Sequence, residues 1–355
     1  MSERVARVRE RLAREGLDAL LVEAPASLRY LTGFSGSNGL ALIGERALFL
    51  TDFRYAEQSA LEVDHEFERI IVSQDLLGEL AQWVTPGKLG YDDSSTTVAR
   101  LGTLSAAVGA RVELTAAAGI VDDLRVVKDE VEIERIAAAA ELVDGIYEWL
   151  AQRGFAGRTE REVAVELEHE MRLRGASAPS FRSIVASGAH AALPHAGPRE
   201  EVIERGTLVL VDIGAVLDGY CSDCTRTFAV GEPSAQAREV YELVLAAQLR
   251  GLAALRAGRR GVEVDAQARA VIAQAGYGER YGHGLGHGVG LEIHERPRLS
   301  YQGSDEVLQV GSVVTVEPGV YLPGLLGVRI EDLTVVTDTE PRRLSKFTKD
   351  LVVVD

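Results

Sequence analysis

Residues 206–230 read GTLVLVDIGAVLDGYCSDCTRTFAV, and the fold of the chain depends on the pattern they carry. A run of aliphatic and β-branched residues follows Gly206, and Asp212 interrupts it six residues later. Gly214, a turn and a return strand with a second carboxylate, Asp223, come next. Because an unpaired charge inside a buried strand is strongly unfavourable, Asp212 is expected to have a partner or a function.

A second segment about a hundred residues further on repeats this design. Residues 311–337 read GSVVTVEPGVYLPGLLGVRIEDLTVVT, with Glu317 six residues after the first glycine, Gly319 two residues later and Glu331 on the return strand. We therefore predict a duplicated β-hairpin. The two strands of a hairpin place their side chains face to face, so each copy brings two carboxylates together and two facing copies gather four.

Four acids that converge in a strand-rich core raise one another's pKa unless cations neutralise them, so the arrangement predicts bound metal. Oxygen ligands in this number suit Mn²⁺, with Co²⁺ or Zn²⁺ as alternatives. Bridging carboxylates hold two metal ions roughly 3.5–4 Å apart. The other interpretation, four ordinary acids at strand ends, is disfavoured because the interruption of an apolar run occurs twice.

A glycine-rich segment supplies nitrogen ligands. Residues 281–297 read YGHGLGHGVGLEIHERP and place His283, His287 and His294 among glycines that let the backbone approach a site closely. The segment has no G-x-G-x-x-G register and no P-loop lysine, which argues against a phosphate site. We predict that these histidines are ligands or acid–base groups.

Composition limits the classes of function. The chain has 355 residues, 46% of them hydrophobic, which is enough for two domains. Its 54 acidic and 38 basic residues give a net charge of −16, so neither nucleic acid nor an anionic membrane surface is an expected partner. The charged N-terminal stretch and the lack of a long apolar run predict a cytoplasmic protein. Two cysteines are too few for a disulfide framework.

The domain organisation follows from a change of pattern along the chain. Helical and strand patterns alternate in the first segment, with a hairpin turn at Gly44-Glu45. The Ala-rich stretch at residues 115–127 ends this alternation. We predict a small N-terminal α/β domain over residues 1–124 and a C-terminal domain over residues 125–355.

Two long helices are predicted at the start of the C-terminal domain. Asp129 is a candidate N-cap with Glu132 three positions later, and Thr159 and Glu162 repeat the arrangement. The strands that carry the acids come after these helices.

Four motifs resemble those of a known family. DIGAVLDGYCSDCTR, GHGLGHGVGLEIHERP, TVEPGVY and GVRIEDLTVVT occur in that order over residues 212–337 and resemble the motifs of the pita-bread metallopeptidases, which include aminopeptidase P, prolidase and methionine aminopeptidase. YLTGFSGSNG and LFLTDFRYAEQ resemble the N-terminal domain of the proline-specific branch. The resemblance implies an α/β (α+β) chain: a small creatinase-like N-terminal α/β domain and a C-terminal pita-bread fold with a duplicated β-hairpin metal site.

The resemblance also implies roles for single residues. The metal ligands would be Asp212, Asp223, His287, Glu317 and Glu331. The catalytic residues would be His195 and His294, which bind the carbonyl oxygen or oxyanion, and Glu317, which takes the proton of the attacking water. The substrate-binding residues would be His283 on the proline side, Arg298 at the carboxyl end of the substrate and Arg329, which supports the metal-site carboxylates or the substrate.

The implied function is a metal-dependent exopeptidase that hydrolyses the Xaa-Pro bond at the N-terminus of peptides, with water activated by two divalent ions. Proline has no N–H and a fixed φ, so its recognition requires a dedicated pocket. Aminopeptidase P activity on Xaa-Pro and longer peptides is our first interpretation, and strict dipeptidase (prolidase) activity is the alternative. A non-catalytic scaffold is disfavoured because no ligand is missing, and a non-peptide C–N hydrolase is a further, less favoured alternative. By resemblance we also expect a homodimer.

The C-S-D-C pattern invites a redox or zinc interpretation. Cys221 and Cys224 are three residues apart in a predicted strand, where such positions point to opposite faces, so a disulfide is not expected. A zinc site would need a second pair, which the sequence lacks. Asp223, between the two cysteines, is the residue expected to act.

Overall fold

The computed structural model describes residues 2–73, 75–302 and 306–355 of the chain. It separates into a first unit that ends at Arg125 and a second that begins at Val126. The assignment of residues 1–124 and 125–355 to two domains stays a prediction. None of the helices in the described ranges is long and apolar enough to cross a membrane.

The first unit is built on one mixed sheet. Its strands are β1 Ala19–Val22, β2 Gly39–Ile43, β3 Ala47–Asp52, β4 Glu68–Val72, β5 Gly87–Tyr91 and β6 Val112–Ala116, in the spatial order β4-β3-β2-β1-β5-β6. Its helices are α1 Ser2–Glu15, α2 Pro25–Thr32, α3 Ala56–Glu62, α4 Leu76–Trp83, α5 Val98–Val108 and α6 Ile120–Arg125, with a 3-10 turn at Phe53–Tyr55. The predicted hairpin is confirmed, because Ile43 of β2 pairs with Ala47 of β3.

The second unit begins with the two predicted helices. Its helices are α7 Glu130–Arg153, α8 Glu160–Leu173, α9 Ala235–Ala254 and α10 Gly261–Gln274, with 3-10 turns at Gly188–Ala192 and Gly278–Arg280. Both capping boxes are confirmed: Asp129 with Glu132 begins α7, and Thr159 with Glu162 begins α8. Each box satisfies two backbone N–H groups that a helix N-terminus would otherwise leave unpaired.

Short strands form the rest of the second unit. They are β7 Ala178–Pro179, β8 Ile184–Ser187, β9 Leu208–Ile213, β10 Ala215–Leu217, β11 Tyr220–Cys221, β12 Cys224–Val230, β13 Gly286–Gly288, β14 Glu295–Leu299, β15 Val313–Val316, β16 Gly319–Leu322, β17 Leu326–Arg329, β18 Asp332–Val335, β19 Arg342–Arg343 and β20 Val353–Val354. The two larger sheets have the orders β20-β12-β9-β8 and β14-β13-β15-β18-β19.

The duplicated hairpin is confirmed, in a more elaborate form than predicted. β9 pairs with β12 and β15 pairs with β18, both antiparallel. In each copy a smaller hairpin lies inside the larger one, β10–β11 in the first and β16–β17 in the second. The two copies therefore share a nested topology that brings their acids to comparable places.

A pair of helices packs against each copy. In the first copy, buried side chains of α7 and α8 such as Tyr147 and Leu167 share a core with Val211 of β9. In the second copy, Val244 and Ala268 of α9 and α10 share a core with strand residues such as Val316. The acidic residues of these strands lie outside both hydrophobic cores.

The cysteines do not share one strand as predicted. Cys221 ends β11 and Cys224 begins β12, and the residues between them lie outside both strands. The break has a local cause, because the hydroxyl of Ser222 donates to Ala139 O at 3.1 Å and accepts from the backbone N–H of Ala215 at 3.1 Å. Both cysteines are buried and free, so the prediction that they form no disulfide is confirmed.

Candidate metal centre

A cavity of about 850 Å³ in the second unit brings the predicted site residues together. Its lining includes every one of them: His195, Asp212, Asp223, His283, His287, His294, Arg298, Glu317, Arg329 and Glu331. These residues come from both hairpin copies, from the glycine-rich segment and from the loop after β8. Their convergence is thus a property of the fold, whereas their individual roles stay predictions.

The first hairpin copy places its two acids diagonally. Asp212 pairs with Thr225 across β9 and β12. Asp223 precedes Thr225 by two residues and thus lies diagonally across from Asp212 on the same face. The two acids are thus not direct cross-strand partners, but the prediction that the hairpin brings their carboxylates together is confirmed, because their oxygens lie within 4.8 Å of each other.

The second copy brings its acids to the end of a strand pair. Val316 at the end of β15 pairs with Asp332 at the start of β18. Glu317 follows the first of these partners and Glu331 precedes the second, just beyond the paired residues. Both acids line the cavity, and the charge of Glu317 contributes to the raised pKa of Glu331.

The carboxylates and one imidazole form a tight cluster. Carboxylate oxygens of Asp212, Asp223 and Glu331, all three buried, lie within 4.8 Å of one another. Nε2 of His287 lies 3.5 Å from Oδ2 of Asp223 and 3.3 Å from Oε1 of Glu317. The imidazole therefore connects the acids of the two hairpin copies.

Glycines hold His287 in place. A Cβ atom on Gly286 would lie 2.0 Å from Thr315 O, and one on Gly288 would lie 2.2 Å from Arg296 O, so no larger residue fits between β14 and β15 at these positions. The backbone N–H of His287 donates to Oγ1 of Thr315 at 3.0 Å. The expected close approach of the glycine-rich backbone is confirmed.

Burial and mutual repulsion perturb the acids. Burial raises the pKa of Asp223, and the nearby carboxylates of Glu331 and Asp212 raise it further. Burial likewise raises the pKa of Glu331, with Glu317 as the next contribution. Burial raises the pKa of Glu317 to about 7, although Arg329 opposes the shift. Such acids hold protons that a divalent cation can displace.

The donor set fits a hard divalent cation. Oδ1 of Asp212 and Oε1 of Glu331 are buried and have no hydrogen-bond partner within the described ranges. The other oxygen of each is held: Arg329 donates to Oδ2 of Asp212 at 2.6 Å, and Thr225 donates to Oε2 of Glu331 at 2.7 Å. Each carboxylate is thus oriented through one oxygen while the other is left for a ligand. Burial also lowers the pKa of His287, which favours its neutral, ligating form.

Arg329 organises the residues around this cluster. It donates through Nε to Oγ1 of Thr225 at 3.0 Å and through Nη1 to the Tyr321 hydroxyl at 2.8 Å and to Pro194 O at 3.2 Å. The Tyr321 hydroxyl lies 2.9 Å from Nε2 of His283. A continuous hydrogen-bonded path therefore joins the acids to His283.

Tyr321 and Thr225 contact the site residues although the sequence did not predict either of them. Tyr321 ends the quoted TVEPGVY motif. Gly319 pairs with Arg329 across β16 and β17, so Tyr321, two residues from Gly319, shares a face with Arg329. The two-residue alternation of side chains after Gly319 is the sequence signal that could have identified the tyrosine.

The three remaining histidines differ in environment. Burial lowers the pKa of His283 to about 4, so it is neutral near pH 7. His294 is exposed to the cavity, and its ring centroid lies 4.5 Å from that of His287 in an edge-to-face contact. Burial of the His294 ring, which is partial, also lowers its pKa. His195 is exposed and lines the cavity from the loop after β8.

A buried glutamate holds the loop that carries His195. Oε1 of Glu160 accepts hydrogen bonds from the backbone and hydroxyl of Ser187 at 2.8 and 3.0 Å. Its Oε2 lies 2.8 Å from Nδ1 of His190 and accepts from the backbone N–H of Arg199 at 3.1 Å. His190 thus helps to hold the loop, whereas Glu160 was not predicted because nothing in its local pattern separates it from a surface acid.

Comparisons with known proteins agree with this geometry. The description of metallopeptidase family M24 matches residues 134–338, and that of the creatinase/prolidase N-terminal domain matches residues 4–127. A curated relative from Pyrococcus furiosus, named Xaa-Pro dipeptidase, is 36% identical over 358 residues and covers 99% of this chain and 100% of its own length.

Solved structures show the same similarity. An Xaa-Pro dipeptidase from Bacillus anthracis superposes with a TM-score of 0.96 at 42% identity and covers 99% of both chains. An X-Pro aminopeptidase from Thermotoga maritima superposes with a TM-score of 0.91 at 37% identity and covers 99% of this chain and 100% of that one. The similarity therefore extends over both units.

Proposed function

The chain belongs to metallopeptidase family M24, and from that premise we propose that it is an Xaa-Pro dipeptidase. The observation that carries the proposal is the cluster of four acids and His287, with two buried carboxylate oxygens left for a ligand. The names of the full-length relatives favour the dipeptidase over our first interpretation, aminopeptidase P. Aminopeptidase activity on longer peptides is the second candidate, because a structure named X-Pro aminopeptidase is also similar over the whole chain.

The proposed metal ligands are Asp212, Asp223, His287, Glu317 and Glu331. Two divalent cations, with Mn²⁺ as our first choice, would polarise the scissile carbonyl and make a nucleophilic water available near neutral pH. Elemental analysis of the purified protein identifies the native metal. Fewer than two metal equivalents after saturation with Mn²⁺ would contradict a dinuclear site.

The protein's own groups perform the proton transfers and hold the substrate. Glu317 lines the cavity with its carboxylate 3.3 Å from Nε2 of His287, and as a carboxylate it would take a proton from the attacking water. His195 and His294 are exposed to the cavity and donate hydrogen bonds to the carbonyl oxygen as it becomes negative. The neutral ring of His283 borders the proline side. The buried carboxylates favour the positively charged amino end of the substrate.

The decisive experiment compares a dipeptide with a tripeptide. We expect Mn²⁺-supplemented protein to hydrolyse Ala-Pro with a kcat/KM at least about tenfold above that for Ala-Pro-Ala, and Asp223→Ala to abolish both activities. Faster hydrolysis of Ala-Pro-Ala would favour the aminopeptidase. Equal activity of the wild type and Asp223→Ala would show that the site is assigned to the wrong residues.

We also propose that the protein forms a homodimer. The support is the family resemblance noted in the sequence. Sedimentation equilibrium gives the mass directly, and a single species at the monomer mass of 38.2 kDa would contradict the proposal.

A further inference from the structure

Two arginines that line the cavity have no side-chain partner among the described residues. Arg182 and Arg298 line it, both are exposed, and neither guanidinium group has a hydrogen bond or ion pair with any residue of the described ranges. The other cavity-lining arginine, Arg329, is bound to Asp212. Glu295, a cavity-lining acid outside the metal cluster, is paired with Lys128, whose Nζ lies 3.0 Å from its Oε2. Two cations therefore face the cavity with their donors free.

The position of Arg182 is set by β8. It precedes Ile184 by two residues, and Ile184 pairs with Asp212, one of the proposed metal ligands. Arg182 therefore lies just before β8, the strand next to the one that carries Asp212. It lines the cavity from this position.

The guanidinium of Arg182 lies against Gly197. A Cβ atom on Gly197 would be 2.8 Å from one terminal nitrogen of Arg182 and 3.0 Å from Cζ, so the guanidinium occupies the space that a side chain at position 197 would fill. Gly197 follows His195 by two residues on the same loop. The free cation is therefore packed onto the loop that carries a proposed catalytic histidine.

Arg298 reaches the cavity from another strand. It pairs with His287 across β13 and β14, so it lies next to the proposed nitrogen ligand. The two free guanidiniums thus come from separate sheets. A group that both contact must lie in the cavity between them.

A dipeptide carries one group that needs such cations. Its α-carboxylate lies only one residue from the scissile bond, so it enters the cavity and loses water, which is strongly unfavourable for a charge without a partner. A guanidinium presents several N–H donors in a plane and binds carboxylate through two parallel hydrogen bonds. In a longer peptide an amide takes the place of this carboxylate and cannot form a charged pair.

We propose that Arg182 is a specificity residue that binds the α-carboxylate of the dipeptide substrate together with Arg298. The inference rests on the proposed dipeptidase function and adds a residue to it. Arg182 contributes to binding of the carboxylate and takes no part in the transfer of protons. It favours peptides that end directly after the proline.

The test removes the cation and the carboxylate separately. The kcat/KM values of the wild type and of Arg182→Gln are measured with Ala-Pro and with Ala-Pro amide in the presence of Mn²⁺. We expect the substitution to lower kcat/KM for Ala-Pro at least about tenfold, mainly through KM, and that for the amide less than about twofold, because a hydrogen bond to a charged group has a strength of this order. An equal loss on both substrates, or no loss on either, overturns the proposal.

Two further variants separate a binding role from a folding defect. Gly197→Ala keeps the charge but displaces the guanidinium, and we expect the same selective loss on Ala-Pro. Arg238→Gln removes a cation outside the cavity lining and should leave both substrates unchanged. A loss of Ala-Pro activity in Arg238→Gln that equals the loss in Arg182→Gln overturns the proposal, because net charge alone would then explain the effect.

A third substrate identifies the source of the carboxylate. Glu-Pro carries an additional carboxylate on its first residue. The loss of kcat/KM caused by Arg182→Gln is therefore compared between Glu-Pro and Ala-Pro. If the loss on Glu-Pro is more than about tenfold larger than the loss on Ala-Pro, Arg182 binds the glutamate side chain and the proposal is wrong. The failure of the proposed function looks different, because the wild type would then hydrolyse none of the Xaa-Pro dipeptides.

Discussion

At the scale of single residues, one hydroxyl connects two charged groups of the site. Oγ1 of Thr225 donates to Glu331 and accepts from Nε of Arg329. Without it, a proposed metal ligand would lose its orientation and a buried guanidinium N–H would lose an acceptor. The loss of a group that orients a metal ligand commonly lowers metal affinity about 10- to 100-fold.

We therefore predict that Thr225→Val, which keeps the shape and removes the hydroxyl, weakens Mn²⁺ binding by about 10- to 100-fold. Calorimetric titration of the metal-free protein measures this directly. Thr225→Ser retains the hydroxyl and should bind Mn²⁺ within about threefold of the wild type. Unchanged affinity in the valine variant would show that the bond to Glu331 does not orient a ligand.

His283 makes stability depend on pH. Its pKa falls from 6.5 to about 4 in the folded protein, chiefly through burial, with Arg329, Arg269 and His195 also opposing its protonation. The unfolded chain therefore binds a proton more readily than the folded one between these values. The contribution of His283 to stability is complete above pH 6.5 and is lost as the pH falls towards 4.

We predict that His283→Gln reduces this acid sensitivity. The shift corresponds to at most about 3 kcal/mol, so the variant should lose less free energy of unfolding than the wild type between pH 7 and pH 4.5, by up to that amount. Urea denaturation of both proteins with a chelator present measures the difference, and the carboxylates titrate equally in both. Parallel curves for the two proteins would contradict the assigned pKa.

At the scale of elements, the positions of the acids and of the first helices of the second unit could be predicted from the sequence, because they follow repeating patterns. Asp212 and Glu317 interrupt apolar runs at the same offset from a glycine. Two capping boxes predicted where α7 and α8 begin. The register of the first hairpin was not accessible. Eleven positions separate Asp212 from Asp223, whereas fourteen separate Glu317 from Glu331, so the nested hairpins differ in length and the two copies place their acids differently relative to the strand pairing.

Glu160 shows why other parts of the site could not be predicted. Its partners, which include Ser187 and His190, lie 27 and 30 residues away, and only the folded chain brings them together. A single acid in the first turn of a helix is a common capping pattern and gives no indication of such contacts.

We predict that Glu160→Gln loosens the loop from Ser187 to Arg199. The loss of charge weakens several hydrogen bonds at once, so stability should fall by about 1–3 kcal/mol and amide hydrogen exchange in this loop should accelerate. Glu162→Gln changes an exposed acid in the same helical turn and should lower stability by less than about 1 kcal/mol. Equal effects of the two substitutions would show that Glu160 acts only as a helix cap.

At the scale of the whole molecule, each unit carries one tryptophan. Trp83 packs against the core of the first unit and Trp149 against the core of the second. The proposed metal ligands all belong to the second unit. The fluorescence of Trp83→Phe and Trp149→Phe variants therefore reports the unfolding of one unit at a time.

We predict that chelation destabilises the two units unequally. A metal ion at about 100 times its Kd adds about 2.7 kcal/mol to the stability of the state that binds it. The midpoint reported by Trp149 should fall on addition of chelator, and that reported by Trp83 should not. An equal shift of both midpoints would show that the two units unfold as one.

The sequence distance between the two hairpin copies has a consequence for the order of events during folding. Thr225 and Glu331 are 106 residues apart, and Arg329 and Asp212 are 117 residues apart. Contacts over such distances form slowly, because a long loop must close before they can stabilise anything. The complete set of proposed ligands therefore forms only after the two copies have come together, so we expect a metal ion that needs ligands from both copies to bind late in folding.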